Sequence, residues 1–118
     1  MLECYDAKAE DGTSMFVILW EFEVKPGSEG SFEKVYGPAG AWVQLFQRDP
    51  HYRGSKLLRD VAQPLHYYTI DYWDFEFAYR DFLNRYQSAY QELDRSFERL
   101  TFRERQVLSG VPEQSVVL

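Results

Sequence analysis

From Met15 onward, the spacing of apolar residues separates strands from helices. Between Met15 and Val24, Phe16, Ile18, Trp20, Phe22 and Val24 fall on one face at period two, with Val17, Leu19, Glu21 and Glu23 on the other. Successive side chains of a strand point to opposite faces, so this run predicts a strand that starts apolar on both faces and ends acidic on one. Lys25-Pro26-Gly27 terminates it, because proline cannot donate to a ladder and glycine permits the turn. A helical stretch follows in two pieces. Phe32, Val35 and Tyr36 stand at helical spacing behind Ser28 or Ser31 as cap, and Gly37-Pro38 interrupts them. Pro38 suits the first turn of a second piece with Trp42, Val43, Leu45 and Phe46. Asp49-Pro50 closes the helix, since the residue before a proline is pushed out of the α region.

Ser55 to Val61 predicts a second strand, Gln63-Pro64 a turn, and Leu65 to Trp73 a third strand; so short a connection implies an antiparallel hairpin. On the third strand His66, Tyr68, Ile70 and Tyr72 share one face, and Tyr67, Thr69, Asp71 and Trp73 share the other. Periodicity alone does not decide which face meets the helices. Asp74 reads as the N-cap of a long helix whose stripe runs Phe75, Tyr79, Phe82, Tyr86, Tyr90, Leu93, Phe97 and Leu100. Glu76 with Arg80 and Asp81 with Arg85, both at i,i+4, mark its wet side. Thr101-Phe102-Arg103-Glu104 fits a capping box and predicts a short turn of helix, and Gln106 to Val111 a last strand.

The resulting order is that of an α+β, ferredoxin-like βαββαβ domain, a four-stranded antiparallel sheet with helices on one face. It is expected to span residues 15–111, between a polar, flexible extension at 1–14 and a loose tail at 112–118. Both 15–24 and 65–73 carry bulky residues on both faces, so the far face of the sheet needs cover. A second copy of the chain would supply it, and a homodimer is expected.

Composition narrows the function classes. The 118 residues are 45% apolar and 18% aromatic, enough for one well-filled core. A net charge of −6 and a pI near 4.9 argue against nucleic acid and anionic membranes as partners, since both are bound through Lys and Arg. The same charge, with no basic–aromatic signature on the strand at 65–73, disfavours an RNA-recognition reading of the βαββαβ order. Cys4 is the only cysteine, which excludes an internal disulfide and a multi-cysteine metal site, and no metal is expected. Residues 1–14 carry Glu3, Asp6, Glu10 and Asp11 without an apolar block, so they do not read as a signal peptide. No stretch approaches the roughly 18 apolar residues of a membrane span. The expected location is the cytoplasm.

A further pattern runs through the chain: Val24-Lys25-Pro26-Gly27, Phe32-Glu33, Tyr36-Gly37-Pro38, Gly40-Ala41-Trp42 and Leu45-Phe46, then Tyr52-Arg53-Gly54 and Leu57-Leu58. It continues with Trp73 closing a strand, Ala78-Tyr79 and Phe82 on the next helix, and Leu100-Thr101 with Glu104. In these positions, across residues 15–111, the sequence resembles the antibiotic biosynthesis monooxygenase family of dimeric α/β barrels. The resemblance implies a homodimer whose sheets pack together and a pocket in each subunit between sheet and helices. It implies either a cofactor-independent oxygenase of anthrone- or quinol-like compounds or a haem-degrading enzyme. The haem-degrading branch uses an Asn on the first strand and a Trp and a ligating His on the helix after the hairpin. Here the first strand has no Asn, Phe82 stands about where the Trp is expected, and the long helix has no His.

No GxGxxG, P-loop, HExxH or GxSxG motif is present, and no cofactor is expected. Cys4 is a poor candidate nucleophile. His66, the one histidine within regular structure, is the candidate base. Tyr68 and Tyr72 are candidates to hydrogen-bond a phenolic substrate, Trp42 to stack on its rings, and Arg59 to bind an anionic group. Each has a structural alternative: His66 at a sheet edge or subunit interface, the aromatic residues in the core, Arg59 paired with Asp60 or Asp71. Trp20 and Trp73 read as core, Glu21 and Glu23 as a solvated strand end, and His51 as a turn residue. The functional expectation is a cofactor-independent monooxygenase acting on a small aromatic compound. The alternative is a non-catalytic dimeric module of the same fold that binds a small ligand or serves as a scaffold.

Overall fold

Strands β1 (Phe16–Val24), β2 (Tyr52–Arg59), β3 (His66–Trp73) and β4 (Thr101–Gly110) form one sheet in the order β2-β3-β1-β4, every neighbouring pair antiparallel. Helices α1 (Glu29–Tyr36), α2 (Ala41–Phe46), α3 (Glu76–Arg85) and α4 (Gln87–Phe97) pack on one face. This computed structural model describes residues 15–113. The extension at 1–14 with Cys4, and all of the tail after Glu113, lie outside the described residues. The architecture is the ferredoxin-like βαββαβ domain that the patterning predicts.

Burial alternates strictly along β3: Tyr67, Thr69, Asp71 and Trp73 are buried under the helices, while His66, Tyr68, Ile70 and Tyr72 stand half-exposed on the opposite face. In β1, Phe16, Ile18, Phe22 and Val24 share the buried face. The main core gathers around Trp73, whose indole meets the rings of Phe46, Tyr52, Tyr79 and Phe82 at centroid distances of 5.1–5.8 Å. A second cluster joins Phe22, Val24, Phe32 and Tyr67, and the Tyr67 hydroxyl there donates to Glu33 Oε2 at 2.5 Å.

The break between α1 and α2 falls at Gly37-Pro38, as expected, and Gly40 is sterically required beside it. A Cβ at Gly40 would lie 2.1 Å from the Val35 carbonyl oxygen, so only glycine lets the chain turn back so closely on α1.

Elsewhere the structure departs from the predicted elements. The second strand starts at Tyr52 rather than Ser55 and ends at Arg59 rather than Val61. Gly54, at φ +122°, absorbs a register shift that lets Tyr52 pair with Trp73 and reach the core. Asp74 does not cap a helix. Helix α3 begins at Glu76 behind an extended Phe75 without a side-chain cap, and the Asp74 carboxylate takes both the Arg53 guanidinium and His51 Nδ1. A fork of charge-assisted bonds outweighs a cap worth about 1 kcal/mol.

The long helix is divided at Tyr86 (φ −114°, ψ 28°), whose ring lies against Phe82 and under the guanidiniums of Arg48 and Arg85. The segment from Thr101 is no capping box but the start of β4. It pairs with the end of β1, and Arg103 and Arg105 there form ion pairs with Glu23 and Glu21 across the ladder. Glu21 and Glu23 are therefore cross-strand partners and not a merely solvated end. The i,i+4 pairs Glu76–Arg80 and Asp81–Arg85 form as expected, and Arg85 also reaches the buried Asp49, tying α3 to the turn before β2.

The ring cluster yields a direct test. Phe82→Ala empties a fully buried site and should cost about 3–5 kcal/mol in urea unfolding, whereas Phe77→Ala, at a residue 74% exposed, should change stability by less than about 0.5 kcal/mol.

Candidate active site

A cavity opens over the middle of the sheet, where β1 and β3 pass beneath the α1–α2 break and α4. Its walls are aromatic, formed by Trp20, Phe22, Tyr36, Trp42, Phe46 and Tyr90. It spans about 480 Å³ including its open mouth. The helix break serves it directly: Tyr36 closes α1, Trp42 opens α2, and Trp42 meets Tyr90 of α4 edge to face at 4.9 Å.

The polar groups of this cavity come from four elements. Thr69 and Asp71 rise from the buried face of β3, Ser55 from β2, and Asp94 and Glu104 from α4 and β4. Asp71 is only 8% exposed. Burial pushes its carboxyl up to about 6, against which the Ser55 bond pulls weakly. Ser55 Oγ donates to Asp71 Oδ1 at 2.6 Å, and the same hydroxyl is bonded to Tyr52 OH. A serine has one proton to give, so Tyr52 is the donor to Ser55, and the relay runs Tyr52 to Ser55 to Asp71. Burial raises Tyr52 to about 12, which keeps it protonated for that role.

At the exposed end, Glu104 is pushed up to about 7 by burial first and then by the charge and hydrogen bond of Asp94, with Glu98 adding to it. Glu104 therefore keeps its proton up to near neutral pH. Tyr36 and Tyr90 are raised as well, chiefly by burial, with Glu104 and Asp94 among the charges that add to it. Among the described residues, Trp73 buries an indole Nε1 that has no hydrogen-bond partner.

Of the residues singled out in the sequence, Trp42 lines the cavity. His66, Tyr68 and Tyr72 do not. They lie on the opposite face of β3, where His66 stands in register with Glu23 of β1 and Lys56 Nζ sits over the Tyr72 ring. The strand alternation that buries Tyr67, Thr69, Asp71 and Trp73 turns these three away from the helices, and the structure does not bring them together with Trp42. Arg59 lies at the end of β2, beside a shallow groove bordered by Glu33 and Tyr67, and pairs with neither Asp60 nor Asp71. His51 is the turn residue expected, bonded to Asp74 at 2.9 Å.

Asp71, Ser55, Asp94 and Glu104 were missed as site residues. Asp71 had a signal: it is the only charge on a strand face otherwise made of Tyr67, Thr69 and Trp73. Among the described residues, no group of three or more His, Cys, Asp and Glu is placed to hold a metal ion, and no helix is long and apolar enough to cross a membrane.

No protein-family model matches the chain, and no curated protein matches it in sequence. Solved structures do match it. A mutant of SnoaB, a cofactor-independent oxygenase from Streptomyces nogalater, superposes with a TM-score of 0.73 at 19% identity, over 87% of this chain and 97% of that one. A monooxygenase from the gene ActVA-Orf6 of Streptomyces coelicolor, solved in complex with the ligand nanaomycin D, gives 0.73 at 15% identity over 94% and 98%. A candidate antibiotic biosynthesis monooxygenase from Bordetella bronchiseptica gives 0.64 at 24% identity over 88% and 99%. The chain thus shares its fold with antibiotic biosynthesis monooxygenases, the family its sequence resembles.

The buried carboxylate makes a stability prediction whose sign is fixed. The folded state holds the Asp71 proton up to about 6 and the unfolded chain only to about 3.8, so the stabilisation is complete below 3.8 and is lost as pH rises through 6. Near neutral pH the ionised group therefore costs on the order of 3 kcal/mol. Asp71→Asn should raise the thermal midpoint at neutral pH, and the gain should vanish near about pH 4. A pH-independent difference would show that the carboxyl is not held in a desolvated site.

Proposed function

We propose that the chain is a cofactor-independent monooxygenase acting on a small phenol- or quinol-type aromatic compound, with Asp71 as the base. The observation that carries this reading is a buried carboxylate, raised to about 6, facing an aromatic cavity between sheet and helices. At neutral pH such a group is mostly ionised and still basic enough to take a proton from a hydroxyl held against it. The likeness to oxygenase structures supports the reading through the fold. The role first expected of His66 passes to Asp71, because His66 lies on the other face of the strand.

In this mechanism the ring of the substrate lies against Trp42 and Tyr90, and Asp71 removes a proton from it. The electron-rich anion reduces dioxygen, and a carbon–oxygen bond forms to give a peroxide. The peroxide takes up the proton from Asp71, and loss of the remaining proton on the same carbon then breaks the O–O bond, so one oxygen atom stays as a new carbonyl and the other leaves with both protons as water. The substrate supplies all four electrons that reduce dioxygen, and the protein contributes a base, desolvation and orientation. Tyr52 and Ser55 hold Asp71 in place.

The reading includes a homodimer. Val17, Leu19, Tyr68, Ile70 and Tyr72 form a half-exposed apolar face on the side of the sheet away from the helices, and a second copy would cover it. On this reading Ile70→Asp shifts the sedimentation coefficient from dimer to monomer.

Oxygen uptake without added cofactor, across a panel of anthrones and quinols, tests the activity. Turnover should rise with pH through about 6 to a plateau, since the ionised base is the active form. Asp71→Asn should lower kcat by about 10²–10⁴-fold, while His66→Ala should leave it unchanged. Loss of turnover in His66→Ala with the dimer intact would return the base to that residue. A flat trace across the panel, with ligand still bound, would favour the non-catalytic binding module.

A further inference from the structure

The charge inventory of the cavity is one-sided. Among the described residues its lining holds three carboxylic acids, Asp71, Asp94 and Glu104, and no Lys, Arg or His. Several arginines of the domain are paired with other carboxylates. Arg103 and Arg105 pair with Glu23 and Glu21 across the β1–β4 ladder, Arg85 with Asp49 and Asp81, and Arg53 with Asp74. With Asp71 mostly ionised beside Asp94 and Glu104, the cavity is net negative at neutral pH. Six of the nine other lining residues are aromatic, and their ring faces are themselves negative poles.

We infer that this cavity takes an aromatic ligand bearing a positive charge, a protonated amine or quaternary ammonium, with its ring on Trp42 and Tyr90 and its cation at the Asp94–Glu104 end. Aromatic faces and carboxylates attract a cation together. An anionic ligand meets uncompensated carboxylates without one basic partner in the lining. The tyrosines of the wall register the same field: Glu104 and Asp94 are among the charges that hold the Tyr36 and Tyr90 hydroxyls in their protonated form.

The inference rests on reading this cavity as the ligand site, and it resolves a difficulty in the oxygenation proposed there. The burial that keeps the wall phenols protonated, and the carboxylate charges that add to it, also oppose ionisation of a substrate phenol. A cation on the substrate offsets those charges, so the ionised form becomes a zwitterion instead of a lone anion among carboxylates.

Three phenols of similar shape separate the possibilities: 4-hydroxyphenyltrimethylammonium, neutral 4-tert-butylphenol and 4-hydroxybenzenesulfonate. Titration calorimetry with tryptophan quenching should rank them in that order, the cation binding about tenfold or more tighter than its neutral isostere. The margin should shrink as salt is raised. In the double variant Asp94→Asn, Glu104→Gln the preference should fall to within about threefold while the neutral phenol binds as before, with circular dichroism verifying the fold. Equal affinities, a preference for the sulfonate, no binding of any of the three, or a preference that survives in the double variant would each overturn the inference. Oxygen uptake is read separately with a cationic and a neutral quinol. Tight cation binding without uptake defeats the oxygenase and leaves this inference standing; uptake with no charge preference does the reverse.

Discussion

The fold turns on a conflict along one face of β3. Tyr67 and Trp73 drive that face into apolar clusters, yet Thr69 and Asp71 stand between them on the same side. Rings can close over Trp73, and they do so from α2, α3 and β2. They cannot close over a carboxylate without leaving it unsolvated, a loss of several kcal/mol for an ion with no partner. The elements above the middle of the sheet give way accordingly. The first helical layer is split at Gly37-Pro38 and the second at Tyr86, and the cavity lies beneath the two halves that flank these breaks. Ser55 and Tyr52 supply the minimum of polar contact that lets Asp71 remain buried.

This arrangement ties reactivity to instability. The desolvation that makes Asp71 a stronger base than an exposed aspartate is the same desolvation that opposes its ionisation in the folded state. The surrounding structure must offset that strain, and the dense ring cluster around Trp73, immediately next to Asp71 on the same strand face, is placed to do so. The ion pairs are arranged differently. Most lie on the outer face of the sheet or on exposed helix surface, where each adds little, and they tie β4 to β1 and α3 to its neighbours without touching the cavity.

The legible parts of the sequence were those where one physical signal dominated. Period-two alternation in Phe16–Val24 and His66–Trp73 located both central strands, and Gly37-Pro38 located the helix break. The face of β3 was not legible, because tyrosines stand on both sides of it and the pattern alone is symmetric. A lone Asp on one side pointed to the inner face only once the helices were seen to cover it. Asp74 misled because its helix-capping preference is a local effect, and Arg53 and His51, remote in sequence, compete for the same oxygens. Thr101 misled for a similar reason: a capping-box spacing is weaker than ladder pairing with Val24 and the ion pairs beside it. The division at Tyr86 had no glycine or proline to announce it.

The resemblance and the superpositions agree on the fold and leave the chemistry to the residues of this cavity. A shared fold fixes where a pocket lies, between sheet and helices, but the groups lining it are carried by side chains that vary freely at such low identity. Here those side chains form a negative, aromatic chamber with a strained carboxylate at its base. A bound cation would act on all of its parts at once. It would ease the ionisation of Asp71 and of Glu104, and fill the space over which no apolar side chain can close. On the inference drawn above, the charge of the ligand, more than its shape, is what this cavity would distinguish.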